Sequence, residues 1–372
     1  MNGVPDNLRS WAEIDLGAMR HNLAHVGQLV GSEVSLMAVL KADAYGHGLS
    51  KIGLALDSEA IAFIGLANAA EASRLHEKGV KTRLFLLGPT FPGERPEIVE
   101  KGFIPCLSNL KEAQHFSQLA TEMGKVATVH LAVDTGMGRG GFSAEELEST
   151  LPELLELPNL KIQGIGSHLS SADEDEDFTK RQIAKFSEQV ERLRAHIEPE
   201  FIHLSNSAGL LGYERGICNL VRPGLLLYGI SPMANHQHQN GLQPVMRLMS
   251  RVTIVRQLGA GATISYGHSF QADKPMRTAT IGIGYGDGYP RAVSDAGAYV
   301  LINGERCPLL GRVTMDQIVV DVSHLASVEA GDEVELFGPN LLVTQVAEWA
   351  GTIPWEIFTG ITPRVQRIFL NK

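Results

Sequence analysis

The chain has 372 residues, 44% of them hydrophobic, enough to bury the core of a large barrel and of a second unit. Its 32 Lys and Arg against 42 Asp and Glu leave a formal charge of -10, a balance that repels nucleic acid and anionic lipid and favours a small-molecule partner. Cys106, Cys218 and Cys307 match no zinc or redox spacing, the first residues lack a signal-peptide core, and no apolar run reaches membrane-spanning length, so a cytoplasmic protein with inert thiols is expected.

In chain order, Asp15 caps a predicted helix whose Leu16, Met19, Leu23, Val26 and Val30 recur at three- and four-residue spacing. Short apolar runs then alternate with polar-faced helical stretches, placing strands near 36–40, 61–66, 83–87, 103–107, 126–133, 162–168, 201–204 and 219–222. Eight parallel strands with helices between them predict an α/β fold, a (β/α)8 barrel (TIM barrel) over residues 11–235, whose active site forms where the strands end. The segment 231–244 has linker composition, and its His236 and His238 lack a third metal ligand and read as surface residues. Beyond it, β-branched runs at 251–256 and 317–322, Gly-rich turns and one helix around 343–350 predict a smaller, mostly β domain over 236–372. Two patterns mislead: Gly136–Gly141 matches a dinucleotide-binding glycine pattern but sits in the fifth unit of a barrel, and the acidic run 173–177 suits a solvated helix start.

The sharpest feature is Ala38-Val-Leu-Lys41-Ala-Asp-Ala-Tyr45-Gly-His-Gly48, an apolar strand that ends on a lysine and breaks into a Gly-rich turn. In an apolar barrel mouth the ammonium loses hydration, its pKa falls, and the neutral amine can attack an aldehyde to form a Schiff base. The local pattern alone favours an ordinary strand-end lysine that reaches solvent. Later motifs decide between the two: Asp134-Thr-Gly-Met-Gly-Arg139, Gly166-Ser-His168, His203-Leu-Ser-Asn206-Ser207-Ala, Arg222-Pro-Gly224, Ser265-Tyr266-Gly267, Gly284-Tyr285-Gly-Asp-Gly-Tyr289-Pro-Arg291 and Met315-Asp316-Gln317. In this order they resemble the alanine racemase family along essentially the whole chain.

That resemblance implies an isomerase dependent on pyridoxal 5'-phosphate, which interconverts L-alanine and D-alanine and supplies D-alanine for peptidoglycan. It implies a head-to-tail homodimer with active sites shared between subunits, and packing of residues 1–10 with the C-terminal domain. Lys41 would carry the cofactor and act as base on one face of the substrate, and Tyr266 from the partner subunit would serve the other. A lone tyrosine is a poor base at neutral pH, and the family couples it to His168 and Arg222. Arg222 would also donate to the pyridine nitrogen and, having only donors, keep it unprotonated. Tyr45, Asn206, Ser207 and the amides of Gly224 and Leu225 would hold the phosphate. Arg139, the Met315 backbone and the neighbourhood of Asp316 would receive the substrate carboxylate, with Tyr285 narrowing the entrance.

Two positions depart from the family pattern. Many members place a lysine two residues before the Asp-Thr-Gly-Met-Gly-Arg aspartate, where its carbamate braces the arginine; Ala132 stands here, leaving an anion such as chloride, a water or a neighbouring carboxylate for that task. The family's phosphate-binding tyrosine is replaced by Trp355, whose indole donates one hydrogen bond and accepts none. Competing readings are a racemase of broader specificity, a pyridoxal-phosphate amino-acid decarboxylase of similar plan, against which Tyr266 and Met315-Asp-Gln argue, and a non-catalytic pyridoxal-phosphate carrier, which has no second domain.

Overall fold

The computed structural model describes residues 7–233 and 239–371. The expected domain boundary at 235 and 236, the histidines His236 and His238, and residues 1–6 lie outside that set. The chain gathers into two compact units: residues Arg20–Ala44 with Leu49–Leu242, and the stretch through Met19 with Tyr45–Gly48 and Gln243 onward.

In the first unit, β2 (Ser35–Val39), β3 (Phe63–Leu66), β4 (Arg83–Leu86), β5 (Ile104–Leu107), β6 (Ala127–Ala132), β7 (Leu160–Gly166), β8 (Phe201–His203) and β9 (Leu220–Val221) pair in parallel and close into a barrel. These strands carry continuous apolar runs because both faces are buried, one inside the barrel and one under helices. Met37, Phe63, Phe85, Ile104, Phe201 and Leu220 fill the interior, with Phe63 edge-on to Phe85 and Phe201 at centroid distances of 5.9 and 4.9 Å. Arg83, at the start of β4, lays its guanidinium 4.1 Å from the centre of the Phe63 ring and covers the amino-terminal end of this core.

The helices are capped as the sequence directs. Asp15 accepts the Ala18 amide at 3.0 Å, and the five periodic apolar residues from Leu16 to Val30 are buried. Asp175, within the acidic run, caps the helix Glu176–Arg194. In the decoy loop, Asp134 accepts the Gly136 and Gly138 amides at 2.9 and 3.0 Å, so the loop's own carboxylate fills the place a phosphate would need.

The second unit begins with a strand that the sequence reading assigned to the barrel. β1 (Ser10–Asp15) pairs antiparallel with β10 (Met246–Leu258) and parallel with β18 (Gln366–Leu370). Trp11, Ala12 and Ile14 are buried, so residues 11–19 cluster with this unit and not with the barrel. The full sheet runs β13-β16-β15-β14-β17-β10-β1-β18, where β13 is Met276–Ile281, β14 Tyr299–Ile302, β15 Glu305–Leu310, β16 Ile318–Asp321 and β17 Glu333–Phe337. A second pairing of β10 with β13 curls six of these strands closed, so that β13 no longer ends the sheet with a free edge. No helix among the described residues is long and apolar enough to cross a membrane.

Candidate active site

Lys41 follows β2 at the carboxyl end of the barrel and is half-buried. Its basicity is lowered first by burial, then by the positive charges of Arg139 and Arg222, with Glu71 opposing. The chain then does something the expected Gly-rich turn did not foretell. Ala42, Asp43 and Ala44 stand at φ 55, 55 and 54° with ψ 54, 44 and 51°, and Tyr45 at φ 53°. This is a left-handed helical turn made of side-chain-bearing residues, closed by the Ala44 amide on the Leu40 carbonyl at 2.8 Å. The glycines Gly46 and Gly48 come only after it.

Arg222 is buried at the centre of the barrel mouth. One nitrogen, Nη2, donates to the carbonyls of Ser167 and Leu204 at 2.6 and 3.1 Å and to His168 Nδ1 at 3.2 Å. The other, Nη1, donates to His203 Nδ1 at 2.5 Å. Burial lowers its pKa to about 10, which leaves it charged at neutral pH. Because guanidinium only donates, both imidazoles accept at Nδ1 and carry their proton on Nε2. Burial, then Arg222, pushes His168 down to about 3 and His203 well below the usual histidine range, so both rings are neutral. His203 passes its Nε2 hydrogen to His130 Nδ1 at 2.9 Å, and a directed chain of donors runs from Arg222 into the barrel.

This relay needs room. A Cβ on Gly166 would sit 2.1 Å from the His203 ring, and one on Gly164 would sit 2.6 Å from the His130 ring. The two glycines of β7 therefore house the two imidazoles. His130 and the position of His203 beneath Arg222 were missed in the sequence; alternate glycines inside a strand, a mark of close approach, were the available signal.

Next to Arg222, Ser207 opens a short helix capped by Asn206, whose side chain accepts the Gly209 amide at 2.9 Å. The Ser207 hydroxyl oxygen accepts the amides of Gly224 at 2.9 Å and Leu226 at 3.4 Å, which leaves its own hydrogen to be donated. Leu225 is buried beside them. Arg139 is exposed, forms no ion pair with a carboxylate among the described residues, and lies in the same electrostatic field as Lys41 and His168. A carboxylate brace, one of the replacements expected for the missing lysine at Ala132, is thus absent among the described residues.

The remaining predicted residues belong to the β unit. Tyr266, Met315 and Tyr285 are 73%, 52% and 42% exposed, unusual values for large side chains that the sequence marks as functional. Tyr266 sits in a turn clamped against residues 311–312: Ser265 Oγ donates to the Arg312 carbonyl at 2.7 Å, and a Cβ on Gly267 would come within 3.0 Å of the Arg312 guanidinium. The Met315 carbonyl accepts the Gly286 amide at 2.8 Å, and Asp316 pairs with Arg364 at 2.7 Å. Arg364 also reaches Asp287, which is buried and accepts the Gly284 amide, so the loops carrying Tyr285 and Met315 are tied to each other. Tyr45 is buried in this unit, its carbonyl accepting His47 Nδ1 at 2.8 Å. Trp355 is half-buried in the helix Pro354–Gly360.

Fold and site together define a β/α-barrel protein with a lysine amine of lowered basicity and a set of cations and donors at the barrel mouth. Two family models cover the chain, the alanine racemase N-terminal domain over residues 14–232 and the alanine racemase C-terminal domain over residues 245–369. An alanine racemase of Geobacter sulfurreducens is 38% identical, aligned over 98% of each chain. Among solved structures, an alanine racemase of Clostridium difficile 630 is 31% identical with a TM-score of 0.92, covering 98% of this chain and 96% of that one. An alanine racemase of Bartonella henselae with covalently bound pyridoxal phosphate is 32% identical with a TM-score of 0.87, covering 98% of this chain and all of the other. The chain belongs to the alanine racemase family.

Proposed function

We propose that this protein interconverts L-alanine and D-alanine, with pyridoxal 5'-phosphate held at Lys41 and two opposed bases acting on the substrate. The observation that carries the reading is the amine of Lys41, made less basic by burial and by two arginines, in a member of this family. The donor set fits the cofactor. Ser207 has a hydroxyl hydrogen to give an anionic phosphate, and the Nε–H of Arg222 takes no partner among the described residues and suits a pyridine nitrogen. Bound there, pyridoxal phosphate supplies an electrophilic carbonyl for amines and a conjugated ring that spreads the charge left when the α-proton departs.

Lys41 takes or returns the α-proton on one face, and its lowered basicity raises the neutral fraction available for that task. Tyr266 from a second copy of the chain serves the opposite face. Its exposure supports this assignment, because a phenol open to water gains a fixed position and a defined partner only when another surface covers it. His168, whose Nδ1 accepts from Arg222, keeps an Nε2–H to donate to the Tyr266 hydroxyl oxygen. Arg222 would donate to the pyridine nitrogen and, having only donors, would leave it unprotonated, which would restrict side reactions. Tyr45, Ser207 and the amides of Gly224 and Leu225 hold the phosphate, Asn206 fixes the Ser207 helix, and Trp355 adds one donor. Arg139, the Met315 amide and the surroundings of Asp316 receive the substrate carboxylate, and Tyr285 narrows the entrance. The working form is a cytoplasmic homodimer that supplies D-alanine for peptidoglycan.

A chirality-resolved assay of the purified protein against an amino-acid panel tests the reading, with Lys41→Ala and Tyr266→Phe as controls. Tyr266→Phe should cost about 10²- to 10⁴-fold in rate. Racemisation of both enantiomers by Tyr266→Phe at the native rate would overturn the two-base assignment.

A further inference from the structure

The left-handed turn after Lys41 demands an explanation, since L-residues avoid it and the sequence there, Ala-Asp-Ala-Tyr, contains no glycine to ease it. Beyond the Ala44–Leu40 hydrogen bond that closes it, one carboxylate ties the turn to the next helix. Glu71, in the first turn of the helix Ala69–Glu77, accepts the Asp43 amide at 3.1 Å through Oε1 and the Ala67 amide at 2.9 Å through Oε2. Asp43 in turn accepts the Leu49 amide at 3.1 Å and Arg74 Nη2 at 2.6 Å. The same local device recurs two strands later, where Asn109 caps the helix Leu110–Glu122 and Glu112 accepts the Ser108 amide at 2.7 Å. There, however, the second carboxylate oxygen faces Arg95 at 3.6 Å. Only in the first copy is the spare oxygen spent on the backbone beside Lys41, and the Glu71 charge also opposes the lowering of the lysine's basicity.

We infer that Glu71 is a positioning residue for Lys41: its carboxylate pins the left-handed turn that aims the amine and provides the negative charge that balances Arg139 and Arg222 around it. The inference rests on the assignment of Lys41 as cofactor anchor. Asp43 and Glu71 form a hydrogen-bonded node with a mechanical and an electrostatic output. Mechanically, it offsets a backbone conformation that three alanine or aspartate residues would otherwise leave. Electrostatically, it raises the pH at which the amine gives up its proton, against two cations that lower it.

The test uses the pyridoxal-phosphate-loaded enzyme with Glu71→Gln, Glu112→Gln and Lys41→Ala. Glutamine keeps the shape but loses the charge and one of two acceptors. Glu71→Gln should lower kcat in both directions about 10- to 100-fold, the loss expected for a charge-assisted hydrogen bond, with KM changed far less. The visible absorbance of the lysine-bound cofactor should titrate at lower pH, a shift that loss of a purely structural contact does not produce. Glu112→Gln makes the same change at the matching helix-cap contact and should leave both readouts within about twofold of wild type. Ala42 is exposed at φ 55°, and Ala42→Gly in the Glu71→Gln background should recover about fivefold or more of the lost rate, because glycine adopts the turn without strain. If Glu71→Gln fails to fold, soluble Glu71→Gln/Ala42→Gly with wild-type kcat and an unshifted absorbance titration overturns the inference. So does a Glu71→Gln enzyme that behaves like Glu112→Gln. Retention of the lysine-bound absorbance by Lys41→Ala would instead refute the anchor itself.

Discussion

Gly166→Ala tests whether the imidazole beneath Arg222 is as tightly housed as the distances say. The added Cβ would fall 2.1, 2.4 and 2.7 Å from Cε1, Nδ1 and Nε2 of His203, all inside contact range, in a barrel interior where His203 is 3% exposed. Overpacking of this kind costs ~1–3 kcal/mol. Displacing the ring also breaks the Arg222 and His130 hydrogen bonds and strands a buried guanidinium donor, adding ~1–3 kcal/mol. The sum, ~2–6 kcal/mol, corresponds to a fall in Tm of roughly 5–20 °C for a unit of this size. Thermal unfolding of Gly166→Ala, His203→Ala and the double variant measures it. With the ring gone the methyl has space, so the double variant should be less damaged than the sum of the singles. A Gly166→Ala protein within about 1 °C of wild type, or strict additivity in the cycle, would refute the steric account.

Three further outcomes follow from the same geometry. His130 and His168 are held at about 3, mainly by burial, and titrate near 6.5 when unfolded; below that pH the unfolded chain binds protons the native one refuses. Stability should therefore fall as pH drops from about 6.5 toward 3, by up to about 1.4 kcal/mol per unit for each ring, and urea midpoints at pH 7 and 5 that coincide would contradict this. Ser265 stands at φ 67°, ψ 178°, a region open almost only to glycine, at a cost of ~1–3 kcal/mol. Ser265→Gly should match or exceed wild type in Tm despite losing the Arg312 contact, whereas Ser265→Ala should lose ~1 kcal/mol; the reverse order would rule out strain. Arg222→Glu should raise cofactor loss by transamination, read as pyridoxamine phosphate formed during turnover, and no rise would count against the proposed restraint on side reactions.

The barrel was legible because each strand is a short apolar run set off by a polar-faced helix, and Lys41, His168, Ser207 and Arg222 fall where such strands end. β1 was not. Its Ser-Trp-Ala-Glu-Ile-Asp alternates like a strand, but nothing local says that its partners lie at residues 246–250 and 366–370. The left-handed turn was hidden for the opposite reason: local propensity argues against it, and only Glu71, far along the chain, makes it tenable. His130 was overlooked because a histidine in an apolar strand reads as core, and its meaning comes from His203 reaching it through the gap left by Gly164 and Gly166.

The pairing of β1 with β18 sets an order of events at birth. Trp11 lies beside Gln366 and Asp15 beside Leu370, so β1 finds its parallel neighbour only after every barrel strand and β10 have left the ribosome. The barrel strands, 35–221, are all available before β10 emerges. Throughout that interval β1 carries an apolar face and two unpaired edges in the crowded cell, a template for unwanted association. A nonsense mutation or proteolytic nick just before Gln366 would thus remove β18 and leave one edge of β1, a strand made long before it, uncovered.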